Sequence, residues 1–438
     1  MESCDILIKN GLIVTIDKDM RVIEKGSIVI KDNIILKISK TEELDRNFTA
    51  KKIIDAKSKI VMPGFINSHT HIPMSYFRGL ADDLPLQEWL NNYIWPTESR
   101  FLSEEFVYDA SLYGTAELVK NGIVLFNDMY FFGKQTALAA TKVGIRAIVG
   151  EGVLDYPFAS YTKPKQMIDY AIRQHKEFAD NELIDFAIAP HSIYVCKTKT
   201  LRLAAESARN NNMLLHIHVA ETEKEIKDCI KHHKKRPIHY LNDIGFLGDN
   251  VIIAHGTWVD EEEQKIIQEK NASVVICTES ELKLASGFAP IKEYLQNKVN
   301  VCLGTDGVAS NNNLSILEEM DFIAKLHKSI NQDPAMLPAS KVVKMATINS
   351  AKALHKYSEI GSLEMGKKAD IILIEKNILE IVPMYNVFSH LVYTINSNAV
   401  RDVIINGKLV MENRKLINVD EDELIERAKY YKSKILEI

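Results

Sequence analysis

The chain has 438 residues, of which 46% are hydrophobic and 26% are charged, and its formal net charge is only −5. This balance is typical of a globular protein, and it excludes a bulk electrostatic attraction to nucleic acid or to a membrane. The length is too great for one ordinary domain but suits an α/β barrel with a second module. We therefore expect a small-molecule substrate, with neither nucleic acid nor a membrane as a partner.

The cysteines and the N-terminus indicate a reducing compartment. The five cysteines are scattered and include no Cys-x-x-Cys pair, so neither a disulfide framework nor a thiolate zinc site is expected. The opening "MESCDILIKNGLIV" lacks the basic and apolar regions of a signal peptide. No apolar stretch approaches the roughly 20 residues that a membrane-spanning helix needs. These features predict a cytoplasmic protein.

Both ends of the chain have β-type patterns. Residues 1–59 contain "DILIKNGLIVTIDKD" and "GSIVIKDNIILKISK", and residues 359–438 contain "ADIILIEK", "VRDVIINGKLVMENRK" and a final helix-like segment. Because neither end is long enough to bury a good core alone, we predict that they pair into one discontinuous β-sandwich domain. Residues 60–358 would form the other domain.

The middle of the chain repeats an apolar run followed by a helix-length segment. Eight such runs end near Asn67, Met129, Val153, Ser192, Glu221, Thr257, Ser280 and Gly307. Alternating strands and helices build a parallel sheet covered by helices, and eight units predict a closed (β/α)8 barrel. An open doubly wound sheet is less well supported, because no Gly-x-Gly-x-x-Gly turn follows any run.

Two pairs of histidines raise the question of a metal site. His69 and His71 stand in "PGFINSHTHIPM", and His216 and His218 stand in "LLHIHVAE". Random placement of thirteen histidines in this chain gives roughly 0.4 His-x-His pairs, so spacing alone establishes no metal site.

The barrel prediction gives the histidines a common location, because functional groups of such barrels lie at the C-terminal ends of the strands. Polar residues follow five of the runs: His69 and His71, His191, His218 and Glu221, His255, and Asp306. His69 and His71 share one face of an extended segment, whereas His216 lies deeper along its strand than His218. Three imidazoles with the Asp306 carboxylate suit one divalent metal per subunit, with Zn²⁺ favoured and Fe²⁺, Mn²⁺ or Ni²⁺ also compatible.

Longer motifs carry a resemblance over nearly the whole chain. They are "PGFINSHTHIPM", "RGLADDLPLQEWLNNYIWPTES", "APHSIYVC", "HIHVAET", "IIAHGTW", "LKLASGFAP", "LGTDGVASNNN" and "GSLEMGKKADIILIE". With these motifs the chain resembles the amidohydrolase superfamily, and within it the 5'-methylthioadenosine/S-adenosylhomocysteine deaminases and their chlorohydrolase relatives.

The resemblance implies a set of site residues and an activity. The implied metal ligands are His69, His71, His218 and Asp306; the implied proton-handling residues are Glu221, His255 and Asp306; the implied substrate contacts are Trp89, Glu98, His191, Glu221, Asp306 and Ser310. The implied reaction is hydrolytic deamination at C6 of adenosine, 5'-deoxyadenosine, 5'-methylthioadenosine or S-adenosylhomocysteine, giving the inosine analogue and ammonia. We also expect a homo-oligomer.

General chemistry agrees with these roles. A bound metal lowers the pKa of water toward neutrality, and Asp306 and His255 would deprotonate and orient that water. Glu221, three residues beyond His218, would deliver a proton to the ring nitrogen beside C6. Zinc deaminases of other folds use a nonligating Glu in the same way.

Residues 72–100 are too many for a simple strand-to-helix connection and predict a substrate-binding loop. Trp89 would cover the ligand, and Glu98 would accept hydrogen bonds from both ribose hydroxyls, which penalises 2'-deoxy substrates. The alternative is that Trp89 packs as an ordinary apolar residue and Glu98 is a carboxylate at a helix start.

The chain departs from the family pattern at two places. Residues 278–281 replace the usual Asn-Pro-x-Ser-Asn, so the adjacent substrate pocket is expected to differ while the metal ligands remain. Glu151 stands where homocysteine-binding relatives place an arginine, and it would repel the substrate carboxylate unless Lys163 or Lys165 compensates. We therefore predict a preference for small neutral 5' groups.

Two other functions stay open from the sequence. An amidohydrolase acting on another ring, such as a guanine deaminase or a triazine hydrolase, would share the metal ligands. A noncatalytic binding barrel would be expected to lose a ligand or a proton-handling residue, and none is missing. The barrel alone does not decide among these functions, because one fold hosts many chemistries.

Overall fold

The computed structural model describes residues 1–44, 47–159 and 161–437. It contains an eight-stranded parallel sheet and a nine-stranded mixed sheet. The strands are β1 Glu2–Val14, β2 Val22–Lys31, β3 Ile34–Lys40, β4 Phe48–Asp55, β5 Lys59–Pro63, β6 Phe65–Thr70, β7 Ile123–Tyr130, β8 Arg146–Val153, β9 Ile184–Pro190, β10 Leu214–Val219, β11 Val251–His255, β12 Ser273–Ile276, β13 Asn300–Leu303, β14 Ile371–Glu375, β15 Val400–Ile405, β16 Lys408–Glu412 and β17 Lys415–Leu416.

Most of the helices lie between or after strands of the parallel sheet, whereas the first lies between β3 and β4 of the mixed sheet. They are α1 Thr41–Leu44, α2 Leu86–Trp89, α3 Trp95–Phe101, α4 Glu104–Lys120, α5 Gly133–Val143, α6 Pro164–Glu177, α7 Thr198–Asn210, α8 Glu223–His233, α9 Pro237–Asp243, α10 Glu261–Glu269, α11 Thr278–Lys283, α12 Ile291–Gln296, α13 Val308–Asn311, α14 Ile316–Ile330, α15 Ala339–Met345, α16 Ile348–Ala353, α17 Val387–Tyr393 and α18 Glu421–Leu436. Short 3₁₀-helices span Ile72–Phe77 and Ser397–Ala399, and a π-helix spans Leu90–Ile94. Among the described residues, no helix is both long and apolar enough to cross a membrane.

Strands β6 to β13 pair in chain order and in parallel, which is the arrangement of a (β/α)8 barrel. Between the last strand and the first, the backbone N–H of Asp306 donates to the carbonyl of His69 at 3.0 Å. The Asn67 side chain adds a hydrogen bond to Thr305 Oγ1 at 2.7 Å. The predicted barrel is confirmed, and each of its strands lies within or overlaps one of the eight predicted runs.

The first predicted run is divided between the two sheets. Within "KIVMPGFIN", Lys59–Pro63 belongs to the mixed sheet and Phe65–Thr70 to the barrel, with Gly64 between them. A Cβ atom at Gly64 would lie 2.1 Å from Cγ1 of Val124, so only glycine fits this close crossing. The sequence did not reveal the division, because a run buried on both faces shows no periodicity.

The mixed sheet joins the two ends of the chain, which confirms the predicted discontinuous β domain. Strand β5 pairs in parallel with β1 and antiparallel with β14. One apolar core contains residues from both ends, among them Ile8, Ile28, Val61, Ile371 and Ile404. The domain boundaries at 59/60 and 358/359 stay predictions, because sheet membership does not define where an independently folding unit ends.

A buried ion pair fastens this domain to the barrel. Nε of Arg146, in β8, lies 2.5 Å from Oδ2 of Asp370, and its Nη2 donates to Oδ1 of Asn406 at 3.0 Å. Both charged side chains are almost fully buried. Removal of either partner would leave a buried charge without its counterion, so the two domains are tied at this point.

Candidate active site

Polar side chains from five strands meet at the C-terminal rim of the barrel. We refer to six of them as the rim cluster: His69, His71, His218, Glu221, His255 and Asp306. His69 lies in β6 and His71 just after it, His218 lies in β10, and His255 is the last residue of β11. All six belong to the wall of one cavity or lie in direct contact with its walls. The parallel barrel brings them together, because the C-terminal ends of its strands share one rim.

The tautomers of two histidines are fixed by backbone carbonyls. Nδ1 of His71 lies 2.6 Å from the carbonyl oxygen of Met129, and Nδ1 of His218 lies 2.8 Å from that of His191. Since a carbonyl only accepts, each Nδ1 carries the proton, and Nε2 of the neutral ring carries a lone pair. The two Nε2 atoms face each other at 3.3 Å. A cation between them would satisfy both lone pairs.

His69 and Asp306 complete this donor set. Nε2 of His69 is buried and, among the described residues, has no hydrogen-bond partner. Oδ1 of Asp306 lies 3.4 Å from that atom and 3.2 Å from Nε2 of His71. Three imidazole nitrogens and one carboxylate oxygen thus converge, and this donor set fits a divalent metal such as zinc.

The electrostatics of the cluster also suit a cation. Burial lowers the pKa of His69 to about 4 and that of His218 well below its usual value, so both rings are neutral near pH 7. Burial alone would raise the pKa of Asp306, but the neighbouring imidazoles of His69 and His71 hold it well below its usual value. Burial alone would lower the pKa of His71, but the carboxylate of Asp306 raises it above its usual value.

His216 lies below the cluster and contacts it directly. Its Nε2 is 2.9 Å from Nδ1 of His69, and its Nδ1 is 3.1 Å from Nδ2 of Asn127. His216 therefore orients a candidate ligand, which the sequence indicated only as a packed residue. Outer partners of this kind commonly fix the tautomer of a metal-binding histidine.

Glu221 and His255 are placed for proton transfer. Burial raises the pKa of the Glu221 carboxyl, which favours a form that can give up a proton. Burial alone would lower the pKa of His255, but the carboxylates of Glu221 and Glu281 raise it to about 10. A cation bound beside the ring would lower the pKa of His255 again, so this carboxyl and this imidazole in one cavity are suited to general acid and base chemistry.

Two residues of the rim cluster have left-handed backbone conformations. The φ angle is +71° at His255 and +60° at Asp306. Residues other than glycine pay on the order of 1 kcal/mol or more for this conformation. The surrounding hydrogen bonds must therefore hold these two strand ends, as is common where side chains are aimed at a site.

Asp306 is held by two serines. Oγ of Ser280 donates to Oδ2 of Asp306 at 2.6 Å, and Oγ of Ser310 donates to the same atom at 2.9 Å. Ser310 was predicted as a substrate contact and lines the cavity. Ser280 was not singled out; it lies in the segment where the chain departs from the family pattern. Although residues 278–281 differ from the family pattern, they still supply a hydroxyl group that contacts Asp306 of the rim cluster.

A cavity of about 430 Å³ opens above the cluster and reaches residues 72–101, which we call the cover segment. Trp89, Glu98, His191 and Ser310 all line it, as does Tyr130. Trp89 is buried and its Nε1 donates to the carbonyl of Ala81 at 3.1 Å. All predicted substrate contacts therefore face one space.

Glu98 has a partner that the sequence did not reveal. The hydroxyl of Tyr130 donates to Oε1 of Glu98 at 2.6 Å. Burial raises the pKa of Glu98 to about 7. The position of Tyr130 as the last residue of β7 was the available signal, because strand ends face the barrel mouth.

The prediction that Glu151 faces the substrate is wrong. Glu151 is buried and does not line the cavity; its Oε2 accepts a hydrogen bond from the N–H of Gly133 at 2.8 Å. Its neighbour Gly152 lines the cavity, and successive residues of a strand point to opposite faces. Burial raises the pKa of Glu151 to about 8.

The two lysines proposed to compensate for Glu151 also lie elsewhere. Nζ of Lys165 pairs with Asp169 at 2.6 Å, and Lys163 precedes helix α6 as its N-cap residue. Neither lysine lines the cavity. Any preference at the 5' end of a nucleoside must therefore come from other residues.

Comparisons with known proteins agree with this geometry. The chain is 42% identical, over 98% of both chains, to a 5-methylthioadenosine/S-adenosylhomocysteine deaminase of Thermodesulfovibrio yellowstonii. It is 40% identical, over 98% of both chains, to a 5'-deoxyadenosine deaminase of Methanosphaera stadtmanae. Its structure matches a zinc-bound adenosine deaminase of Xanthomonas campestris with a TM-score of 0.98 and 34% identity over 100% of both chains. Residues 60–410 match the amidohydrolase family, and the chain belongs to that family.

Proposed function

We propose that the protein is a metal-dependent deaminase that converts adenosine-type nucleosides to the inosine analogue and ammonia. Three relatives with names of this kind support the proposal. The observation that carries it is a buried carboxyl, Glu221, in a cavity lined by three of the four convergent metal donors. A hydrolase of this type needs both a site for the nucleophile and an acid for the ring.

His69, His71, His218 and Asp306 would hold one divalent metal, and we propose Zn²⁺. Such an ion, when bound, lowers the pKa of water and so supplies a nucleophile near neutral pH. The two Nε2 lone pairs that face each other at 3.3 Å support this assignment.

The chain's own residues would move the protons. Addition of water to C6 requires that the water lose a proton and that the ring nitrogen beside C6 gain one. His255 would accept the first proton while Asp306 orients the water, and Glu221 would donate the second. Loss of the 6-amino group as ammonia needs a further proton, which His255 would return, and the proton that remains on the C6 hydroxyl would pass to Glu221 and restore its acid form.

The far part of the cavity would bind the ribose. Glu98 would accept hydrogen bonds from the ribose hydroxyls, with Tyr130 holding the carboxylate in place. Trp89, fixed by its hydrogen bond to Ala81, would cover the sugar. A carboxylate left unpaired by a 2'-deoxy substrate is costly when it is buried.

The lining of the cavity supports a preference for neutral 5' groups. It includes Leu154, Tyr156, Phe158 and Tyr194, and none of its described residues is a lysine or an arginine. A homocysteine carboxylate would find no cation here, whereas a methylthio group, a methyl group or a hydroxyl needs none. This argument replaces the one that relied on Glu151.

The test is a steady-state comparison of adenosine, 5'-deoxyadenosine, 5'-methylthioadenosine and S-adenosylhomocysteine, with the metal content measured on the same sample. We expect ammonia release with one equivalent of metal per subunit, and the lowest kcat/KM for S-adenosylhomocysteine. Guanine and a chlorinated triazine serve as controls for the alternative ring substrates. Turnover of a control but of no adenosine compound would overturn the proposal. No turnover at all would favour the noncatalytic barrel.

A further inference from the structure

Glu281 faces His255 from the side of Nδ1. Oε1 of Glu281 lies 3.6 Å from Nδ1 of His255, and both side chains are almost fully buried. Nδ1 of His255 is buried and has no hydrogen-bond partner among the described residues. A distance of 3.6 Å is an ion-pair contact rather than a hydrogen bond, and a small rotation of either side chain would close it.

The carboxylate of Glu281 is itself held by the backbone. Its Oε1 accepts a hydrogen bond from the N–H of Cys277 at 3.1 Å, and its own N–H donates to the Cys277 carbonyl at 2.9 Å. Glu281 lies in α11, just after β12, so its backbone position is fixed by the barrel. The group that faces His255 is therefore held in position before any ligand binds.

His255 lies against the metal donors on its other side. Its ring is nearly parallel to that of His218, with 5.6 Å between centroids and 18° between planes. Ligand atoms of His69, His218 and His255 all lie within 4.8 Å of one another. The imidazole thus stands between the proposed metal site and the carboxylate of Glu281.

We propose that Glu281 is a positioning residue that holds His255 through Nδ1 and keeps Nε2 free to accept a proton. The inference rests on the proposed function. When water attacks C6, its O–H bond breaks, an Nε2–H bond forms on His255, and the resulting imidazolium lies beside the carboxylate. Glu281 takes no proton; His255 later passes the proton to the departing ammonia. A carboxylate that orients an imidazole and stabilises its charged form is an established device of proton-transfer sites.

The test compares Glu281→Gln with Glu281→Met in the metal-loaded enzyme. Glutamine keeps an acceptor for Nδ1–H but loses the charge, whereas methionine loses both at a similar volume. We expect kcat to fall on the order of tenfold for glutamine and hundredfold for methionine, with KM and zinc content within about twofold of wild type. The solvent deuterium isotope effect on kcat should rise in both variants, because proton transfer becomes slower.

Glu319→Gln is the matched control. The Glu319 carboxylate is also buried and accepts hydrogen bonds from the N–H groups of Thr278 (2.8 Å) and Glu279 (3.2 Å) in the same segment. Burial raises the pKa of Glu319 well above its usual value, and this substitution should leave kcat and the isotope effect within about twofold of wild type.

Several results would overturn the inference. They are a kcat within twofold of wild type in both Glu281 variants, a loss that appears in KM or zinc content instead, or an equal loss in the Glu319 control. Failure of the proposed function is seen separately, as wild type that deaminates no adenosine compound. The role of Glu281 can still be tested in that case, because kcat of the variants can be compared with kcat of wild type on whichever ring substrate the enzyme turns over.

Discussion

The rim cluster and the cover segment are built in different ways. The rim cluster is buried except for the partly exposed His71, and backbone carbonyls hold His71 and His218. The cover segment consists of a 3₁₀-helix, a π-helix and two short α-helices, and it exposes Tyr93. The chemistry thus rests on rigid strands, while the contacts that would select the substrate rest on irregular chain that can vary and move.

The largest expected effect comes from His218→Ala, which tests whether the rim cluster holds a metal. Loss of one of four donors should remove most of the zinc and nearly all activity. His216→Ala is the control; loss of a partner of His69 should weaken metal affinity by about 10- to 100-fold. Zinc titration of both variants decides the matter. Full zinc in the His218 variant and none in the His216 variant would show that the site uses the other histidine.

Glu221→Gln separates proton delivery from metal binding within the same cluster. We expect zinc content to be unchanged and kcat to fall on the order of a hundredfold or more, which is the usual scale of a positioned acid or base. Measurement of kcat and zinc on one preparation checks both statements. Deamination within about threefold of wild type would rule out Glu221 as the proton donor.

Glu98→Gln tests the cover segment. The variant should lose roughly tenfold in kcat/KM for adenosine but little for 2'-deoxyadenosine, because only one substrate offers both hydroxyls to the carboxylate. Tyr130→Phe, which removes the 2.6 Å hydrogen bond to Glu98, should give a smaller loss of the same kind. Equal losses for both nucleosides would mean that Glu98 does not contact the ribose.

Glu151 shows that not every polar residue near a strand end belongs to the rim cluster, because it lies near the end of β8 but its side chain does not line the cavity. Burial raises its pKa from 4.5 to about 8 in the folded protein. The folded state therefore binds more protons between these values, and Glu151 makes the protein less stable as the pH rises through that range. As the pH is raised from 5 to 9, the free energy of unfolding of Glu151→Gln should increase relative to that of wild type by on the order of a few kcal/mol. Urea unfolding at both pH values measures this gain, and a difference independent of pH would contradict the buried position.

The smallest effect concerns the contact between the cover segment and the barrel. Lys283 pairs with Asp82 in the cover segment, and both side chains are partly exposed. Such a pair contributes less than about 1 kcal/mol and is screened by salt. Asp82→Asn should raise KM by less than about threefold, leave kcat unchanged and lose its effect at 1 M salt. A large fall in kcat would assign this pair a role in forming the active site.

Much of the rim cluster could be predicted because barrel geometry converts position along the chain into position in space. Polar residues at the C-terminal ends of barrel strands, or just beyond them, reach the same rim, which is why His69, His218 and Asp306 meet. The position of each histidine along its strand indicated that His218, rather than the deeper His216, is the candidate metal ligand. Spacing alone could not have done so, because both histidine pairs have the same pattern.

Other features depended on register and packing that the sequence does not contain. Glu151 points away from the cavity because its neighbour Gly152 faces it. A shift of one residue in the register of β8 would exchange the two positions. The contacts of Tyr130 with Glu98 and of Ser280 with Asp306 join segments far apart in the chain. No local pattern predicts such pairs. The eight strands were predictable because strong apolar runs carry their own signal.

The single residue between the two sheets also limits how the enzyme can open. The N–H of Gly64 donates to the carbonyl of Asp370 at 3.1 Å, and the next N–H, of Phe65, donates to Gly122 at 3.0 Å. A hinge at this junction would break these bonds and turn β6, which carries His69. Opening the two domains would therefore displace His69, a proposed metal ligand. A change in the cover segment leaves these bonds intact, so substitutions there can alter how substrate is held without turning the strand that carries His69.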